Sequence, residues 1–268
     1  MTGSHNGCAR SYRVLGLRAA VTLLALASVV AIAAPAVAAE QPAVAGTARP
    51  VMVAISSFPT PTVSTIGFSA RGRAITMETF GSGPRHVLVL GGVHGSEYGV
   101  PVASSYLVWL RAHLDAVPAG TQIDVVTCLN PDGRAKGQKL NARGVDLNRN
   151  FPASNWRKQT NSGRRAGSEP ETQAMMRLLA SRRYVRIISL HSKGGVVDYD
   201  GPGGYTLARR IAKAAKMPVV HLASYQVFRG SMGSYVPQRY RTPIITWELA
   251  SRTMSSRILA GINAGIRP

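Results

Sequence analysis

Three separated stretches of the chain carry residues able to hold a metal and move a proton: His94-Gly95-Ser96-Glu97, His191 and Glu248. The first offers an imidazole and a carboxylate three residues apart. The other two place an imidazole and a carboxylate directly after the apolar runs Arg186-Ile187-Ile188-Ser189-Leu190 and Pro243-Ile244-Ile245-Thr246-Trp247. Two histidines and one glutamate leave a tetrahedral zinc with an open position for water, the pattern of a catalytic rather than a structural site. A further carboxylate nearby would take the water's proton. The chemistry expected is hydrolysis of an amide or peptide bond. Glu248 supports this, because a carboxylate ending a buried strand costs free energy unless it is paired, hydrated or used. The other histidines lack such surroundings: His5 is close to the N-terminus, His86 begins a strand, His113 falls within a helix, and His221 lies in a strand without a partner motif.

A second block is dense in polar residues. Asn130-Pro131-Asp132-Gly133 reads as a turn, and Asn141 to Pro152 (NARGVDLNRNFP) as a loop. A merely solvated loop has no need of Asn-Arg-Asn wedged between Leu147 and Phe151. Arginine at that place suits bidentate capture of a substrate carboxylate, and asparagine beside it adds a neutral clamp.

The elements that must position these residues alternate between strand and helix. Strands are expected at Arg73 to Phe80 (an edge strand), His86 to Leu90, Gln122 to Leu129, Val185 to Leu190, Met217 to Leu222 and Pro243 to Trp247. Helices are expected at Ser96 to about Val117, Glu169 to Arg182, Gly203 to Ala215 and Thr253 to Ile266. Ser168 and Glu171 offer a capping box for the second helix. Short, continuous, β-branched strands are buried on both faces. The fold class is therefore α/β, a three-layer αβα sandwich around a mostly parallel sheet. In such open sheets ligands bind at the carboxyl ends of the strands, where His94, His191 and Glu248 fall.

Residues 1–38 read as a secretory signal peptide. Arg10, Arg13 and Arg18 precede an apolar run from Ala19 to about Ala34, and Ala36-Val37-Ala38 offers a small-residue cleavage site. The run has roughly 16 residues, short of the roughly 20 that span a bilayer; an uncleaved anchor is the alternative. Residues 39–68, rich in Ala, Pro, Thr and Ser, read as an irregular leader, and 69–268 as the catalytic domain. Cleavage would remove Cys8 and leave only Cys128, a small buried hydrophobe that cannot form an intramolecular disulfide. The formal charge is +20, or +17 without the three leading arginines. Such a charge favours anionic partners such as a cell-wall polymer. No recognition-helix or stacking-aromatic pattern supports nucleic acid, and the mature chain is expected to have no membrane span.

His94-Gly-Ser-Glu97, the Asn-Pro-Asp-Gly turn, Asp146-Leu-Asn-Arg-Asn-Phe-Pro152, Ser168-Glu-Pro-Glu-Thr172, Ser189-Leu-His191 and Ile245-Thr-Trp-Glu248 together resemble the zinc carboxypeptidases of the carboxypeptidase A type. The resemblance runs from about residue 70 to the end. It is closest to the compact bacterial branch that includes murein peptide amidases, through Asn148 to Trp156, the Gly167-Ser-Glu-Pro-Glu-Thr segment and Gly230-Ser-Met-Gly-Ser234. It implies one Zn2+ held by His94, Glu97 and His191, with Glu248 as general base and Asn148 and Arg149 as the carboxylate clamp. The substrate it implies is a murein peptide, such as the γ-D-glutamyl–diaminopimelate bond. An ordinary carboxypeptidase acting on L-peptides and a non-catalytic wall-binding derivative are the alternatives. Two positions depart from the pattern. Lys139 stands where the family usually has an arginine that polarises the scissile carbonyl. The mobile tyrosine falls at Tyr225 only with a one-residue shift, Gln226 occupying the usual place. The position that sets side-chain preference falls near Met232-Gly233 and carries no charge. Asp198 and Asp200 are open to two roles, meeting an amino group of diaminopimelate or capping loops.

Overall fold

The computed structural model describes residues 58–222 and 228–268. The expected signal peptide, the leader up to residue 57 and Tyr225 lie outside the described residues. The described chain builds an eight-stranded mixed sheet. In chain order the strands are β1 (Thr62–Phe68), β2 (Ala74–Gly81), β3 (Arg85–Leu90), β4 (Thr121–Val126), β5 (Tyr184–Ser192), β6 (Val196–Asp200), β7 (Val219–Val220) and β8 (Ile244–Leu249). The helices are α1 (Gly99–Ala112), α2 (Pro131–Lys136), α3 (Pro170–Ser181), α4 (Gly204–Ala215), α5 (Met232–Tyr240) and α6 (Ser256–Ile266). Across the sheet the order is β1-β2-β4-β3-β5-β8-β6-β7. The central four strands, β4-β3-β5-β8, run parallel, and antiparallel pairs join β1, β2 and β6 to them.

Side chains alternate across each strand, and both faces are covered. Val87, Val89, Ile188, Leu190, Ile245 and Trp247 pack on one face against α1, α4 and α6. Leu88, Leu90, Ile187 and Ile244 pack on the other against α3, α5, Leu147 and Phe151. This is the expected α/β sandwich, and it explains why the central strands read as unbroken apolar runs. Trp247 is fully buried. A Cβ on Gly261 of α6 would collide with its ring, so the glycine is what lets that helix lie against the sheet.

Several expected boundaries move. Thr62–Phe68, expected as irregular leader, is β1 and pairs antiparallel with β2, so Ala74–Gly81 is not the edge strand. α1 begins at Gly99, not Ser96, and ends at Ala112. The capping box on α3 does not form: Glu169 is the N-cap residue without a side-chain cap, and Ser168 Oγ donates to Glu169 Oε1 instead. Glu171 accepts from the Ala70 amide and from Asn141. The Asn-Pro-Asp-Gly turn opens the short helix α2, capped by Asn130, whose side chain accepts from the Gly133 amide. The strand expected at Met217 to Leu222 shrinks to Val219–Val220. His191 and Glu248 are the penultimate residues of β5 and β8 rather than residues beyond them.

Candidate active site

His94 and Glu97 are delivered by the loop between β3 and α1, not by a helix. The Glu97 amide donates to the His94 carbonyl at 3.4 Å, and this turn brings both side chains to one side. Gly92 sits at φ +64, a left-handed conformation that glycine adopts without strain. Gly95 packs so close to the backbone of Gly133 and Arg134 that no Cβ fits. The loop is thus pressed against α2. His191 arrives from a different direction. β5 and β8 run side by side, with His191 opposite Glu248 in register, so the imidazole and the carboxylate emerge on the same face.

The ligating atoms of His94, Glu97 and His191 all lie within 4.8 Å of one another. His94 Nδ1 is 2.8 Å from Glu97 Oε1, and His191 Nδ1 is 3.0 Å from Glu97 Oε2. Each imidazole is held by its other nitrogen: His94 Nε2 against Asp146 Oδ1 at 2.8 Å, and His191 Nε2 against Ser189 Oγ at 3.0 Å. With the proton on each Nε2, the tautomer that a cation would select, the Nδ1 lone pairs are left for that cation. Outer partners of this kind fix ring orientation and tautomer in metal sites. The donor set and its spacing therefore fit zinc. Asp146 also accepts from the Asn148 amide at 2.9 Å and faces Lys139 Nζ at 3.2 Å.

The charges are tightly balanced here. Burial opposes a charge on His94, but hydrogen bonds to Asp146 and Glu97 outweigh it and push its pKa up to about 9. Burial likewise opposes ionisation of Glu97, and bonds from His191 and His94 bring it down to about 2. The Asp146 carboxyl is held below the usual carboxylate range despite burial, by His94 and by the charges of Lys139 and Arg149. Glu248 differs. Burial pushes its carboxyl upward; His191 opposes the shift and the Glu97 charge adds to it.

These groups open into a cavity of about 390 Å3 that also receives Lys139, Asn148, Arg149, Phe228, Asp200 and Gly233. Asn148 Oδ1 accepts from the Met232 amide at 2.9 Å, which leaves its NH2 group for a ligand. Arg149 donates to the Asn148 carbonyl at 2.7 Å and lies 5.0 Å from the centre of the Phe228 ring. Asn150, the third residue of the Asn-Arg-Asn run, turns away. It is fully buried and donates to the Ser162 and Arg165 carbonyls, so it pins the loop instead of meeting substrate. Asp146 and Ser189 were not singled out from sequence. A buried acid between Val145 and Leu147 was the available signal for the first; nothing comparable marks the second.

The zinc carboxypeptidase family model matches residues 56–241, and the chain belongs to this zinc-dependent family. Murein peptide amidase A of Escherichia coli is 35% identical over 165 residues, which cover 55% of this chain and 64% of that relative's length. The Vibrio campbellii protein of the same name is 31% identical over 179 residues, covering 60% of this chain and 68% of its own. Among solved structures, the murein-tripeptide amidase of Escherichia coli O157 aligns with a TM-score of 0.61 at 27% identity, over 80% of this chain and 95% of that one. Carboxypeptidase A of Helicoverpa armigera aligns with a TM-score of 0.64 at 20% identity, over 76% and 67%, and shares the fold.

Proposed function

We propose that the protein is an exported amidase that uses one zinc ion per chain to cut murein peptides on the amino side of a residue with a free carboxylate. The convergence of His94, Glu97, His191, Glu248, Asn148 and Arg149 on one cavity carries this reading. His94, Glu97 and His191 would hold the ion, which when bound supplies a Lewis acid and lowers the pKa of water. Glu248 takes a proton from the attacking water at its carboxylate and delivers it to the leaving nitrogen, so the amide gains one water across the broken C–N bond. Burial pushes its carboxyl upward against the opposing imidazoles, the direction that favours accepting a proton. Arg149 and Asn148 hold the carboxylate of the leaving residue. Lys139 holds the oxyanion as a point charge, lacking the fork of an arginine. Tyr225 is assigned to the substrate-binding set by the family pattern.

The murein substrate is supported by the two amidase relatives and the tripeptide amidase structure, whose names state that activity for those proteins. Export is supported by the basic and apolar N-terminal stretch, and contact with an anionic wall by the charge of +20. No helix among the described residues is long and apolar enough to cross a membrane. Glu248→Gln decides the mechanism: it should retain zinc while losing more than about 100-fold in hydrolysis of γ-D-glutamyl–diaminopimelate peptide, followed by mass spectrometry. Near-normal turnover would remove Glu248 from its role. A wild-type protein that cuts C-terminal residues from L-peptides and leaves the murein peptide intact would replace the substrate assignment with that of a general carboxypeptidase.

A further inference from the structure

The uncharged Met232-Gly233 position is not the whole of the specificity wall. Strand β6 brings Asp198 and Asp200 to the same cavity. Asp198 is buried and engaged: its Oδ1 accepts from the Leu222 amide at 2.8 Å, so it caps a loop. Asp200 differs. Its carboxylate reaches across to α5 and occupies the place that a side chain on Gly233 would take. It has no hydrogen-bond or ion-pair partner among the described residues. The sequence has 32 basic residues against 12 acidic ones, so a cation was available in abundance. Glu78, Asp124, Asp132, Asp146 and Glu169 each have a lysine or arginine within ion-pair distance. A half-buried carboxylate left without one faces the same space as the carboxylate clamp Arg149.

We infer that Asp200 is a specificity-determining residue that receives an ammonium group on the side chain of the leaving residue. The substrate class is then an amide whose leaving residue carries a free carboxylate for Arg149 and a second, distal amino group for Asp200, as diaminopimelate does. This rests on the cavity being the substrate site proposed above. Burial and the neighbouring Asp198 charge push the Asp200 carboxyl up to about 7, the mark of a site short of positive charge. An incoming ammonium would supply it.

The test uses the zinc-loaded protein and two peptides: γ-D-glutamyl–diaminopimelate and γ-D-glutamyl–2-aminopimelate, which lacks only the distal amino group. The wild type should prefer the first in kcat/KM by about 10- to 100-fold, the range for losing a charged hydrogen bond. In Asp200→Asn that ratio should collapse toward unity. In Gly233→Ala, whose methyl displaces the carboxylate, it should also fall. A wild-type protein that cuts both peptides equally well, or an Asp200→Asn protein that keeps the wild-type ratio, overturns the role of Asp200 and leaves the amidase reading standing. Failure of the wild type to cut either peptide overturns both.

Discussion

The wall of the cavity built from His94, Glu97 and His191 has its charges closed, whereas the wall built from β6 and α5 leaves one open. On the first, every titratable group faces an opposite partner: Glu97 lies between two imidazoles, and Asp146 lies between His94 and Lys139. On the second, Asp200 has no cation partner among the described residues. A closed set holds its geometry before any ligand arrives and so can be built to fixed distances. An open one stores an unfavourable term that only the right ligand relieves, and so discriminates between ligands. With the roles proposed above, metal binding and substrate choice would draw on opposite electrostatic designs a few side chains apart.

Breaking the closed wall should have the largest effect. Asp146→Asn removes the carboxylate behind His94 without changing its shape. It should lower zinc affinity by about 10- to 100-fold, the range for losing an outer partner of a ligating histidine. Competition against a chelator measures it, and an unchanged affinity would mean that Asp146 merely supports its loop. The second effect belongs to the clamp. Arg149→Lys keeps the charge but loses the fork, so KM for carboxylate-terminated peptide should rise about 10-fold with zinc affinity unchanged. A fall in kcat at constant KM would instead place Arg149 on the transition state.

The same contrast separates what could be read from the sequence from what could not. The candidate ligands and Glu248 are legible because β3, β5 and β8 are apolar on both faces, and a polar residue at or just beyond such a strand's end stands out. His94 and Glu97 do come together as their spacing suggests, but through a turn in place of a helical start. β1 was hidden because its side chains are mostly exposed and carry no burial pattern. α5 was hidden by Gly233, Ser234 and an internal Pro237, all poor helix formers. The partners behind the metal ligands were hidden for another reason. Asp146 meets His94 across 52 residues, and only the fold brings them together. Asp198 and Asp200 read alike in sequence, two acids on one short strand. The Leu222 amide reaches one and not the other, which is a fact of tertiary packing.

The smallest effect sharpens the comparison most, because it reads the open charge without substrate. Asp200 has an ordinary value of 3.8 in the unfolded chain and about 7 in the fold. Between roughly pH 4 and pH 7 the folded protein therefore binds more protons at this site than the unfolded one, and stability falls as pH rises through that window. Below it both states are protonated and the penalty vanishes; above it both are ionised and the penalty is fully present. Asp200→Asn cannot ionise. It should match the wild type near pH 4 and exceed it near pH 8 by on the order of 1 kcal/mol in urea unfolding, the discount reflecting solvent access to the cavity. The variant would then be more stable and less selective at once, as expected of a residue kept for its ligand. Equal stability of the two proteins at pH 8 would mean that the carboxylate is already satisfied in the free protein, and the two walls would no longer differ.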